Sequence, residues 1–330
     1  MKVHPINDHI FALHADIRSD DLFEGIWPIP YGVSLNCYLV RGEKIALIDL
    51  VRDWVGAPTE LKNQLSSLGV SLEDVDYIIL NHLEPDHTGW LREFLSINKK
   101  AIVLTTAKGA ELVKNFYFER DRVRAIKEGE ILDLGMGQSL QFFETPNVHW
   151  PETMMTWAKE GGVLFSCDGF GSYGALGDRI FDDEISEDEH EFFEAESLRY
   201  YANIVASFGI FVKRAIEKLS SLPIRVIAPS HGIIWRANPN KIIERYLRYA
   251  DYSDGPREKE IAIIWGSMYG NTELGLKHVI EGIEEEKVPY SIHRVPNENV
   301  SFILADAYKS EGILIAMPTY EYKMFPPMAY

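Results

Sequence analysis

"IILNHLEPDHTGW", residues 78–90, joins a run of aliphatics to four polar side chains of one chemical kind: His82, Glu84, Asp86 and His87. A short buried strand ends in a cluster of potential metal ligands. Residues i and i+2 of an extended segment point the same way, so His82 and Glu84 are expected to share a side. A tight turn through Pro85 and Gly89 is expected to bring Asp86 and His87 round to them. Unpaired charges at a strand end carry a desolvation cost. Four ligand-type groups in six positions therefore point to a cation that compensates them.

The pattern recurs along the chain. "ETPNVHW" carries His149, "LFSCDGF" carries Asp168 and "IAPSHGIIW" carries His231, each after an apolar strand and close to a small residue or turn. Any one of these alone reads as a satisfied polar residue in a loop. Strand ends along one edge of a sandwich converge in space, and with the first cluster they describe one site.

The 330 residues allow two domains, and their apolar content is ordinary for a globular core. The net charge of −17 argues against nucleic acid as a partner, since phosphates call for a basic face. Cys37 and Cys167 form no Cys-x-x-Cys pair, so no disulfide framework, zinc ribbon or fused rubredoxin-type iron site is expected. A reduced, cytoplasmic setting is expected. "MKVHPINDHIF" lacks a signal peptide's apolar stretch. No segment approaches about 18 unbroken apolar residues, so no membrane span is expected.

"NCYLV" and "IALIDLV" read as strands across a tight turn, and "APTELKNQLSSLG" as a helix with Pro58 in its first turn and Gly69 at its end. "DYIIL", "KAIVLTT", "SLQFFETP", "ETMMTWAK", "GVLFSCD" and "IRVIAPSHG" read as further strands. Residues 189–219 read as nearly continuous helix, and the acidic run 182–196 as a solvated face and helix start. "NPNKIIERYLRYADY" reads as a helix capped at Asn238. The polar "SDGPREKE" (253–260) marks a domain boundary. Beyond it strand and helix alternate strictly, the grammar of a parallel sheet with crossover helices.

The ligand pattern resembles that of the metallo-β-lactamase superfamily, His-x-His-x-Asp-His followed by His, Asp and His, with Glu84 replacing the second His. With that replacement it is similar to the flavodiiron proteins (A-type flavoproteins, including rubredoxin:oxygen oxidoreductase), whose segments "RYYANI" and "SHGIIWR" also resemble. The resemblance implies an α/β protein: a metallo-β-lactamase-like αββα sandwich over 1–253, then an incomplete flavodoxin-like doubly wound domain over 258–330. It implies a di-iron centre in which His82, Glu84 and His149 bind one iron, Asp86 and His231 bind the other, and Asp168 bridges them. His87 is either a ligand or a near neighbour. Tyr200 and Tyr201 offer either a hydroxyl behind the ligands or plain helix packing. The added carboxylates suit redox iron, because anionic oxygen ligands stabilise the ferric state.

In "IAIIWGSMYGNTELG", a strand leads through a polar loop into a helix, a geometry that presents backbone N–H groups to a phosphate. It has no Walker lysine. Ser267, Met268, Tyr269, Gly270, Asn271 and Thr272 resemble the phosphate loop of flavodoxins, and Pro318, Thr319 and Tyr320 their second flavin loop, which implies FMN. Ala316, Met317 and Glu321 depart from the residues usual there. Three strands stand where the flavodoxin pattern has five, so a C-terminal truncation is expected, with "GILIAM" left as an exposed hydrophobic edge.

The implied activity is reduction of O2 to water, or of NO to N2O, with electrons relayed through FMN from rubredoxin or a reduced deazaflavin. A head-to-tail homodimer would set one subunit's FMN beside the other's irons. The rival reading is a zinc-dependent hydrolase of the same superfamily, against which Glu84 and the flavodoxin-like start both argue. A non-catalytic electron carrier would have no use for a seven-residue ligand set.

Overall fold

The computed structural model describes residues 2–329. The chain begins with β1 (His4–Pro5) and β2 (Ile10–Ile17), makes a small hairpin of β3 (Leu22–Phe23) and β4 (Trp27–Pro28), and enters β5 (Val33–Arg41) and β6 (Ile45–Ile48). Then follow α1 (Ala57–Ser67), β7 (Tyr77–Ile79), the short α2 (Pro85–Thr88), α3 (Leu91–Ile97), β8 (Ile102–Thr105), α4 (Ala107–Tyr117) and β9 (Val123–Ala125). These strands, the hairpin apart, form one sheet in the order β1-β2-β5-β6-β7-β8-β9. A second sheet has the order β10-β11-β12-β13-β14, from β10 (Ile131–Gly135), β11 (Gln138–Glu144), β12 (Met154–Ala158), β13 (Val163–Cys167) and β14 (Val226–Pro229). Between β13 and β14 come α5 (Glu187–Tyr200) and α6 (Gly209–Leu219), and after them α7 (Pro239–Asp251).

One hydrophobic core joins both sheets and their helices. β5 is buried along all but its last residue, as befits a strand covered on both faces. α1 begins after Gly56 and ends at Gly69, both at positive φ, and buries Leu61 and Leu65. β2, in "HIFALHADI", is a buried strand that the sequence reading passed over, because its polar residues break the alternation.

Four local expectations are corrected. The segment after β7 closes with a turn of helix, α2, and not a loop turn. Pro85 presets the first helical φ, and the Thr88 hydroxyl donates to Glu84 O at 2.8 Å. Residues 189–219 are interrupted: after α5 the backbone widens into a π-helical turn (Tyr201–Val205) and tightens at Ala206–Phe208 before α6. The acidic run is far from all solvated. Asp182 accepts N–H bonds from Arg236, Ala237 and Asn238, Glu194 pairs with Arg245 and Arg248, and Glu196 pairs with buried Arg199. The Asn238 side chain makes no cap bond; the Asp182 carboxylate satisfies the amides leading into α7 instead.

The remaining strands, β15 (Glu258–Trp265), β16 (Tyr290–Arg294) and β17 (Ser310–Ala316), form a parallel sheet in the order β16-β15-β17 with α8 (Asn271–Glu285) and α9 (Val300–Lys309) as crossovers. Among the described residues β17 pairs only with β15, and Ile313 and Ile315 are 55% and 60% exposed. α9 docks on α5 through Arg199. Its guanidinium lies 4.6 Å from the Phe302 ring and donates to Ser301 Oγ at 3.2 Å and to Pro28 O at 3.0 Å.

Candidate metal centre

β7 places Asn81 at the sheet's edge, where its backbone N–H donates to buried Asp49 at 2.7 Å. The chain then runs through His82 and Glu84 into α2, which turns Asp86 and His87 inward. His149 follows β11 and His231 follows β14. Asp168 follows β13 directly after Cys167, whose φ of +52° and the slipped register of β13 on β14 turn the strand end toward the other groups.

All seven residues converge. One donor atom from each of His82, Glu84, His149 and Asp168 lies within 4.8 Å of the others, and Asp86, His87 and His231 form a second such group. The Asp168 carboxylate faces both. Its Oδ2 lies 3.4 Å from His82 Nε2 and 3.3 Å from His149 Nε2, whereas its Oδ1 lies 3.0 Å from His87 Nε2 and 3.3 Å from His231 Nε2. Glu84 Oε2 is 3.2 Å from His82 Nε2 and 3.1 Å from His149 Nε2, and Asp86 Oδ2 is 3.3 Å from His231 Nε2. His87, placed by sequence either as ligand or neighbour, points its Nε2 into the second group.

The electrostatics are those of a cation nest holding protons. Burial disfavours charged His149, yet the carboxylates of Asp168 and Glu84, 3.3 Å and 3.1 Å from its Nε2, outweigh it and hold the imidazole at about 10. His231, opposed by burial but paired with Asp168 and Asp86, is raised to about 9. Burial would raise Glu84, but His149 and His82 bring it down to about 2. Asp168 is likewise held well below the carboxylate range against burial, chiefly by His87. Even so, Asp86 Oδ1, Asp168 Oδ2 and His231 Nε2 are buried without a well-formed hydrogen bond among the described residues. Buried polar atoms are normally bonded, so these three fit metal coordination.

The groups behind the ligands fix their orientation. Glu152, 1% exposed, accepts from His82 Nδ1 at 2.8 Å and from Leu83 N at 3.0 Å. Ser34 O accepts from His231 Nδ1 at 2.8 Å. Each contact fixes the ring so that its Nε2 faces the site. Tyr200 donates its hydroxyl to Asp168 Oδ1 at 3.0 Å. Tyr201 does not take part: one residue further round, its ring packs against Tyr246, Tyr249 and Tyr308, and its hydroxyl has no hydrogen-bond partner among the described residues. Phe23 and Trp150 supply apolar walls, at 5.4 Å from the His231 ring and 5.0 Å from that of His82. Cys167 belongs to a third donor group with His87 and Asp168, but burial pushes its thiol well above the usual range and keeps it neutral. Glu152 escaped the sequence reading. Its "PET" setting shows no ligand spacing, and its role arises from a contact with a residue 70 positions away.

At the third sheet, Trp265 pairs with Ala316, so the loops after β15 and β17 leave from the same end. Ser267 Oγ accepts from Gly270 N at 3.0 Å, and Gly270, at φ +89°, leads into Asn271 and Thr272 at the start of α8. Met268 and Tyr269 are exposed. Pro318 and Thr319 follow β17, and Tyr320 closes a turn with Lys323 through two backbone bonds.

Residues 33–232 match the family model described as ODP family beta lactamase. The chain is 37% identical over 304 residues to an anaerobic nitric oxide reductase flavorubredoxin of Salmonella arizonae, covering 90% of this chain and 61% of the relative. It is 34% identical over 334 residues to the flavorubredoxin of Vibrio vulnificus, covering 100% of this chain and 66% of the relative. The chain thus spans somewhat less than two thirds of these relatives' length. The structure of a rubredoxin oxygen:oxidoreductase from Desulfovibrio gigas superposes with a TM-score of 0.90 at 27% identity, covering 99% of this chain and 80% of that one. A variant of a flavo di-iron protein from Thermotoga maritima superposes with a TM-score of 0.88 at 30% identity, covering 99% and 82%.

Proposed function

The chain belongs to the flavodiiron protein family, and from that premise we propose that it is an oxidoreductase reducing O2 to water, NO to N2O, or both, at a di-iron site fed through FMN. The observation that carries the reading is the Asp168 carboxylate, with one oxygen toward each of two donor groups. His82, Glu84 and His149 would hold one iron, Asp86, His87 and His231 the other, and Asp168 both. Bound iron would supply the electrons and the open coordination positions that a gas requires.

The chain's own residues do the rest. Glu152 and Ser34 hold His82 and His231 in the tautomer that presents Nε2. Tyr200 keeps a proton on its hydroxyl, because burial and the Asp168 charge push its pKa well up, and directs that proton at Asp168 Oδ1. Phe23 and Trp150 exclude water from one side.

We place the sandwich at 1–253 and the flavin-binding part at 258–330, with Ser267 to Thr272 around the FMN phosphate and Pro318 to Tyr320 beside the ring. The donor is a rubredoxin or a reduced deazaflavin, and the assembly a head-to-tail homodimer in the cytoplasm. No helix among the described residues is long and apolar enough to cross a membrane. The zinc-hydrolase alternative is not favoured, because Glu84 replaces an imidazole with a carboxylate in the first group.

Metal analysis after anaerobic purification from iron-replete cells tests the reading. About two irons per chain are expected, with consumption of O2 or NO once the loaded protein is reduced. Tightly bound zinc together with ester or thioester hydrolysis would contradict it.

A further inference from the structure

An apolar cavity is lined by chain neighbours of the donor cluster. Its wall on the sheet side includes Val148, Gly169 and Phe170, and its wall on α6 includes Val212, Ala215 and Ile216. Val148 is bonded to His149 and Gly169 to Asp168, so two of its wall residues are direct chain neighbours of two members of the first donor group. On the other side Ile216 is half-buried, so this wall lies nearer the protein's outer layer.

The chemistry of the walls selects the occupant. Among the described residues no polar atom faces the space. The hydroxyl of Tyr246, which also lines it, is engaged in donating to Gly171 O at 2.8 Å. The free volume is about 10 Å³, close to the smallest that admits a water-sized molecule, and a water would need two or more polar partners to stay. An occupant must therefore be very small and must make no hydrogen bonds. Met155 forms part of the wall beside Gly169, where its Sδ-methyl carbon would lie 2.7 Å from any added Cβ. A thioether side chain changes rotamer at little cost, so this part of the wall, beside Gly169, is adaptable.

We propose that this cavity is a docking site for a small apolar diatomic gas, from which the gas passes to the donor cluster between His149 and Asp168. The proposal rests on the gas-reducing reading above. An apolar gas partitions from water into such a space because cavity formation in water is costly and here the cavity already exists. Docking of this kind precedes the reaction and does not differ between ground and transition states. It therefore acts on KM and leaves kcat alone.

The test uses the iron- and flavin-loaded protein, with krypton as the apolar probe. Crystals pressurised with krypton should show an atom between Phe170 and Ala215. Ala215→Leu fills the space and should abolish that atom, raise KM for the gas several-fold, and leave kcat and iron content unchanged. Val212→Ala, which enlarges the space, should raise krypton occupancy and guards against a filled variant that does not fold. A native cavity that takes up no krypton would overturn the proposal, and so would an Ala215→Leu protein that folds, excludes krypton and keeps the native KM. Krypton in the cavity of a loaded protein that reduces neither O2 nor NO would support the docking site and overturn the gas-reducing reading instead.

Discussion

His82 and His231 are wholly buried at the ends of their strands, whereas Tyr269, in the loop after β15, is 91% exposed. Both places are strand ends of an α/β fold, where ligands commonly bind, but they are built differently. In the sandwich two sheets and their helices enclose the ligands, and Glu152, Ser34 and Tyr200 hold them from behind. In the third sheet the loops stand on three strands, with a small separate cluster of Ile263, Trp265, Leu276 and Ile283 beneath them. A site enclosed on all sides is preorganised by the core. A site on a thin sheet takes its shape only when something further packs on it. Metal retention is therefore expected to respond sharply to single atoms, and the flavin side to respond weakly.

The largest effect is expected at the residue that both groups share. Asp168→Ala should retain neither iron, as measured by metal analysis, while far-ultraviolet circular dichroism stays native. A variant that keeps both irons would remove Asp168 from the bridging role. Next comes Glu84→His, which leaves the first group with three imidazoles and the shared Asp168 carboxylate. It should favour zinc over iron and end gas consumption without unfolding the protein.

Glu152→Gln keeps shape but removes the charge behind His82. Iron affinity should fall roughly 10- to 100-fold, seen in chelator competition, and a native affinity would reduce Glu152 to a packing group.

The pH dependence of stability separates the empty site from the filled one. Without metal, His149 and His231 titrate at about 10 and about 9, above an unfolded value near 6.5. Their contribution to stability is then fully present below pH about 6.5 and is lost as pH rises through about 9 to 10. The metal-loaded protein, with neutral imidazoles held by cations, should show no such loss. Thermal denaturation of both forms across that window checks the difference. Equal slopes would mean that the imidazoles are not proton-paired when metal is absent.

The smallest effect is expected on the third sheet. Ile313→Lys, on the exposed face of β17, should change stability by no more than about 0.5 kcal/mol and leave iron content untouched. It should also lower self-association in light scattering, since exposed hydrophobic strand edges promote it. A loss of iron in this variant would show that the two regions are coupled more tightly than their cores imply.

The same contrast explains what could be read in advance. Each of the seven ligand-type residues follows an apolar strand, and a polar side chain at that position is visible in one dimension. Tyr200 and Tyr201 were not separable that way, because neighbouring helical residues point about 100° apart and only the packing decides which one reaches Asp168. Asp182 looked like part of a solvated run, yet it satisfies three amides more than fifty residues on. Glu152 has its meaning only through His82. What remained hidden was in each case a contact between distant segments, while the strand-end pattern is local.

The central claim, that two metals share the Asp168 carboxylate, is tested most directly by Mössbauer and electron paramagnetic resonance spectra of protein loaded with isotope-labelled iron. The account predicts an antiferromagnetically coupled diferric pair, silent in paramagnetic resonance when oxidised. Two independent ferric signals, or a single iron per chain at saturation, would contradict it.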